Sequence, residues 1–191
     1  MTGDAAGAVE RLRAAARLHP FSALLRITLA RALAHAGDAQ AALAEAQATC
    51  DEHPESAIAA IYRQGLLAWA RPDAAVATAA WAAAEQRDAP PMALSVVAYA
   101  LARAGLTAEA MEVVDAALAC GAVSPCAAVL YVAALVAVGD HARAFDLLHA
   151  AERAHCGVLP MALRDPANVP LRGLPEYEQV LLRVFGPLAN I

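Results

Sequence analysis

His19, His53 and His155, with Cys50 one helical turn before His53 and Cys156 next to His155, are the residues whose types and spacing could bind a metal. The three histidines fall at equivalent places in a repeated pattern. Equivalent places in neighbouring helix pairs lie about two helix spacings apart, roughly 16–20 Å, whereas zinc holds its ligands at about 2 Å. Cys50 and His53 supply two ligands and no second pair is spaced to join them; His155 and Cys156 stand in the same position. The chain has no nucleophile elbow, phosphate loop, HExxH or dinucleotide fingerprint. All 14 basic residues are arginine, so no lysine can form a Schiff base or grip a phosphate. Glu109, Glu112 and Asp115 read as solvated carboxylates on a helix face. The expectation is a protein that is not an enzyme and uses no metal or cofactor.

What must position these residues follows from composition. Of the 191 residues, 60% are hydrophobic and 5% aromatic, so alanine carries the apolar fraction. Alanine is the strongest helix former, and Val-Ile-Thr-Tyr strand clusters are scarce. An all-α fold is expected. The net charge of −5 without a basic run excludes nucleic acid and anionic lipid as natural partners. The first twenty residues lack the apolar core of a secretory signal, and the unbroken apolar run Cys126 to Gly139 is too short to span a bilayer. Four irregularly spaced cysteines then suggest reduced thiols in a cytoplasmic protein.

Turn residues fall at Gly3, Gly37, Pro72, Gly105 and Gly139, at intervals of 34, 35, 33 and 34 residues, and Pro20 and Pro54, each preceded by histidine, keep the same period. With the turn residue counted as slot fifteen, slot twenty holds Ala8, Ala42, Ala77, Ala110 and Ala144. Slot twenty-seven holds Ala15, Thr49, Ala84, Ala117 and Ala151, and slot eight holds Ala30, Gly65, Ala98 and Val132. Asp4, Asp38, Asp73, Thr107 and Asp140 sit where the second helices begin and suit their unpaired N–H groups.

This pattern resembles the tetratricopeptide repeat (TPR) family, over roughly Gly3 to Cys156. The family's aromatic at slot twenty-four survives only as Trp81, and its slot-thirty-two proline is shifted or lost after the first full unit. The resemblance implies an α-solenoid of antiparallel helix pairs, near Phe21–Pro54, Glu55–Ala89, Pro90–Ser124 and Pro125–Pro160. Residues 1–20 form a leading unpaired helix, 21–160 the four pairs, and 161–191 a capping segment, helical from about Pro175. That closing segment is similar to those of bacterial arrays attached to transcriptional regulators, nucleotide cyclases and protein kinases.

By analogy with the family, the first helices line a concave groove. The expected groove residues are Ile27, Arg31, Tyr62, Arg63, Leu66, Trp69, Met92, Tyr99, Val129 and Leu130. Lysines and asparagines that clamp a peptide carboxylate in some family members are missing, which leaves an apolar, aromatic trough with two arginines. It suits a partner peptide or amphipathic helix. Tyr62, Trp69, Tyr99 and Met92 are equally readable as core between helices. The expected function is a non-catalytic protein–protein interaction scaffold. A sensory or regulatory module binding a small ligand is the alternative, and a self-associating homo-oligomer the third. The first helix of the fourth pair is apolar on every face and needs a cover, either the C-terminal segment or another chain.

Overall fold

A computed structural model describes residues 5–86, 89–119 and 123–186. The turn at Gly3, the helix start at Asp4 and the break at Gly121 lie outside the described residues. Every regular element among the described residues is helical: α1 (Ala5–Leu18), α2 (Ala23–His35), α3 (Ala39–Glu52), α4 (Ala57–Ala70), α5 (Ala74–Glu85), α6 (Pro91–Arg103) and α7 (Thr107–Ala119). There follow α8 (Pro125–Ala128), a 3-10 turn (Val129–Tyr131), α9 (Val132–Val138), α10 (His141–Arg153), α11 (Leu159–Ala162), a second 3-10 stretch (Pro166–Leu171) and α12 (Pro175–Phe185). None of these helices is long and apolar enough to cross a membrane.

Helix ends follow the local chemistry. Asp38, Asp73 and Asp140 each accept a hydrogen bond from the backbone N–H three residues on, at 2.9, 3.0 and 3.2 Å, which satisfies donors the helix leaves open. Thr107 is instead the first residue of α7. Ser22, Ser56 and Ser124 cap α2, α4 and α8 in the same way. Gly139 closes α9 at φ 84°, a left-handed conformation that costs glycine nothing.

Helices pack in pairs, α2 on α3, α4 on α5 and α6 on α7, with α1 against α2. The first helices of successive pairs also touch in order, α2 to α4, α4 to α6 and α6 to α9. Small residues permit this. Ala30, Ala77, Ala84, Ala98, Ala110, Ala144 and Ala151 are completely buried, as is Thr49. At Gly65 an added Cβ would collide with the Val96 side chain, so α4 and α6 are nearer than any larger residue would allow. Glycine in a helix costs about 1 kcal/mol against alanine; here the close approach demands it.

Two expectations are corrected. The first helix of the fourth pair is not continuous: α8 and α9 are separated by a 3-10 turn, where the Tyr131 hydroxyl donates to the Pro91 carbonyl at 2.6 Å. Nor are the cysteines all reduced thiols. Cys126 and Cys156 are joined by a disulfide with their Cα atoms 5.4 Å apart, and Cys50 is the free cysteine among the described residues. Disulfides are rare in reducing compartments, so the thiol argument for a cytoplasmic location does not extend to this pair. Sequence reasoning missed it because the two residues meet only once α10 has turned the chain back.

The apolar α9 is covered from within. The chain after α10 returns across it, and Leu159, Leu163, Leu171, Tyr177 and Val180 join Val132 and Leu135 in one buried cluster. Fully burying a leucine contributes about 1.5–3 kcal/mol. The Tyr177 hydroxyl donates to the Leu163 carbonyl at 2.5 Å, and burial pushes its phenol up to about 12. On α10, Glu152 accepts from Arg183 of α12, while His149 lies 2.7 Å from Glu176.

The Arg183 guanidinium, with smaller help from His149, holds the Glu152 carboxyl below the usual range. A depressed folded value means that this contribution is complete above the ordinary glutamate range and disappears as pH falls through the folded one. Glu152→Gln should therefore lower the neutral plateau of the melting-temperature profile and leave its acid end unchanged, so that the acid limb flattens; an unaltered profile would remove Glu152 from the account. Cys126→Ser should lower the unfolding free energy by about 3–4 kcal/mol, the chain-entropy estimate for a loop of this length, as read from urea titration.

Candidate functional site: a pocket under the C-terminal strap

Arg31 decides where the site is. It stands in the third turn of α2, and its Nη2 donates to Oδ2 of Asp165 at 2.9 Å, across 134 residues of sequence. Asp165 is fixed on its other side: its Oδ1 accepts from the Ala167 N–H at 2.9 Å and so caps the 3-10 stretch. Behind it the Asn168 side-chain amide donates to the Ala162 carbonyl at 2.8 Å. Residues 159–171 thus form a strap that is folded on itself before it reaches α2.

Between strap and helices lies a cavity of about 190 Å³. Its helical wall comes from the first helices: Arg31 and His35 of α2, Tyr62, Leu66 and Trp69 of α4, Ser95, Val96, Tyr99 and Arg103 of α6, then Leu130 and Ala133. The opposite wall is Asp165, Pro166 and Ala167. Six of the ten expected groove residues therefore meet here: Arg31, Tyr62, Leu66, Trp69, Tyr99 and Leu130.

The other four do not. Ile27 and Val129 are buried in the main core, because their slots face the neighbouring helix and not the open side. Arg63 turns toward α3, where it donates to Gln47. Met92 is partly exposed outside the cavity, and its carbonyl accepts from the Ser95 hydroxyl at 2.7 Å. Tyr62 belongs to both descriptions: it is 3% exposed and counts as core, yet it forms part of the cavity wall.

Five wall residues escaped the sequence reading: His35, Arg103 and the strap residues Asp165, Pro166 and Ala167. His35 and Arg103 occupy the same slot of their repeats, thirteen, one position beyond the last slot taken as groove-facing. Asp165 belongs to the closing segment, where nothing local marks an aspartate before a proline as a partner for α2.

The electrostatics are simple. Arg31 and Asp165 neutralise one another, with 22% and 7% of their side chains exposed. His35 lies 3.7 Å from the same carboxylate, but burial outweighs that attraction and keeps its imidazole below the usual range, hence neutral near pH 7. Burial also pushes the Tyr62 phenol up, with Arg31 pulling it partly back. Arg103 is exposed at the rim, over the Tyr99 ring at 5.9 Å and 3.4 Å from its hydroxyl. Among the described residues no carboxylate pairs with it. Trp69 faces His35 with ring centroids 6.5 Å apart. Among the described residues no three His, Cys, Asp or Glu side chains converge as a metal site.

No known protein family, curated protein or solved structure matches this chain.

The ion pair should control the strap. Removing one partner of a fully buried pair costs about 3–5 kcal/mol; with Arg31 partly exposed, the loss of a charged hydrogen bond, about 1.5–3 kcal/mol, is the better scale. Asp165→Asn, which keeps an acceptor for Ala167, should speed amide hydrogen exchange at Asn168 and Arg172 by that amount relative to amides of α6. Equal protection in both proteins would mean that the pair does not hold the strap.

Proposed function

We propose that the chain is a TPR-like helical-repeat module of the sensory or regulatory kind, whose face of first helices binds a small ligand. The repeat assignment rests on the 34-residue periodicity and on burial of its small-residue slots. The choice of ligand size rests on one observation, the strap. An α-helix with its side chains is about 10–12 Å across, and one laid on this face would stand where Asp165, Pro166 and Ala167 form the opposite wall. A partner helix enters only if the strap leaves, and leaving breaks the Arg31–Asp165 pair and exposes Leu163 and Leu171. A molecule of benzene size needs neither, since a cavity of roughly 150 Å³ accommodates benzene.

The scaffold reading has support from a different surface. Leu18, Phe21 and Leu24, at the junction of α1 and α2, are 78%, 89% and 53% exposed. Three neighbouring large apolar groups in water suit a contact with another protein. The two readings use different residues, the start of α2 with the end of α1 against the later turns of α2 with α4 and α6, and so can be told apart.

A fragment screen by amide-resonance mapping is the test. Hits should shift the amides of Leu130, Ala133 and Ala167 and raise the melting temperature, because a ligand that binds only the folded state stabilises it by mass action. Hits confined to Leu18, Phe21 and Leu24, or none that reach the strap, would reject the small-ligand reading in favour of the scaffold.

A further inference from the structure

We infer that the ligand of the strapped pocket is a small monoanionic carboxylic acid with a flat apolar body, its carboxylate on Arg103 and its ring against Trp69 and Tyr99. The inference rests on the small-ligand reading above and adds the chemistry.

Size sets the first limit. A cavity of about 190 Å³ exceeds the roughly 150 Å³ that holds benzene by little more than the liquid volume of one water, about 30 Å³. A six-membered ring with one short substituent matches that space. Shape and polarity set the second. Leu66, Val96 and Leu130 are apolar, and Trp69 and Tyr99 add aromatic rings to the wall. Such walls favour a ring over a branched polar body.

Charge sets the third. Arg31 is committed to Asp165 at 2.9 Å, and the Asp165 carboxylate is occupied by Arg31 and by the Ala167 N–H. The Ser95 hydroxyl is committed to the Met92 carbonyl. Among the described residues that line the pocket, the balance of fixed charges is thus one positive charge, and it belongs to Arg103. Its guanidinium donates weakly, at 3.4 Å, to one neutral hydroxyl, and no carboxylate among the described residues competes for it. A planar guanidinium binds a carboxylate through two parallel hydrogen bonds, stronger than neutral ones. A cationic ligand would meet Arg103 with like charge, and a neutral one would leave that fork unused. Arg103 comes from the last turn of α6, so the carboxylate end lies at the rim and the ring points inward. That order lets the apolar part leave water while the charge keeps partial hydration.

Calorimetric titration of the full chain with benzoate, benzyl alcohol and benzylamine tests this, on the natural sequence and on Arg103→Gln. Arg103 is exposed, so the variant should keep its fold, which its circular dichroism and melting temperature will check. Benzoate should bind about tenfold or more tightly than benzyl alcohol, a ratio set by one charge-assisted contact, and benzylamine should not bind. Arg103→Gln should abolish that preference and leave benzyl alcohol unchanged. Equal affinity of benzoate and benzyl alcohol, or a benzoate preference that survives Arg103→Gln, would overturn the carboxylate assignment and leave the pocket standing. Ala133→Phe, which fills the cavity from α9, separates the two failures. If it leaves benzoate binding unaltered, or if none of the three probes binds the natural sequence, the small-ligand reading falls as well.

Discussion

One ion pair joins the second helix of this protein to a strap near its other end, and the pocket lies between the two. Arg31 and Asp165 are far apart in the chain, so no local propensity brings them together. A pair with so little exposure gains modestly in net energy, since desolvating both charges offsets much of their attraction. Its effect is on register. The Asp165 carboxylate is aimed by its own 3-10 cap before Arg31 meets it, so the strap has one seat on the helices instead of a range of them.

That seat presupposes closely spaced first helices, and the small residues provide them. Gly65 lets α4 lie against Val96 of α6, and Val96 is itself part of the pocket wall. The residue that sets the helix spacing therefore also sets the width of the cavity. Alanine, which fills the corresponding slot at Ala30 and Ala98, would set its Cβ against the Val96 side chain and force that wall residue to shift. The apolar α9 belongs to the same construction: uncharged on every face, it gives the strap a surface to bury.

How far the sequence discloses this depends on distance along the chain. Helix positions were legible because their signals are local: Asp38, Asp73 and Asp140 act within one turn, and Gly139 within one residue. The core faces were legible from periodicity, which places Ala30, Ala77 and Ala144 in tight contacts. The site was half legible. Arg31, Trp69 and Tyr99 follow from slot counting, whereas His35 and Arg103 lie one slot beyond the groove-facing ones, as the final residues of α2 and α6. Ile27 and Val129 failed for the complementary reason, since small rotations of a helix exchange its groove face for its core face. Asp165 and the Cys126–Cys156 bond were illegible, because each depends on segments that meet only after everything between them has folded. Six groove residues converge, yet what they line is a pocket roofed on one side by Asp165, Pro166 and Ala167 and not the open trough that counting suggests.

The disulfide has a mechanical side. Cys126 lies at the start of α8, and Cys156 follows α10 directly before the strap. When tension is applied along the polypeptide, force arriving at Cys126 crosses the sulfur bridge to Cys156 without loading the helices between them. The 30 residues so bypassed withhold roughly 100 Å of extended length. A pull on the upstream chain is consequently delivered to the root of the strap, while α9 and α10 stay slack.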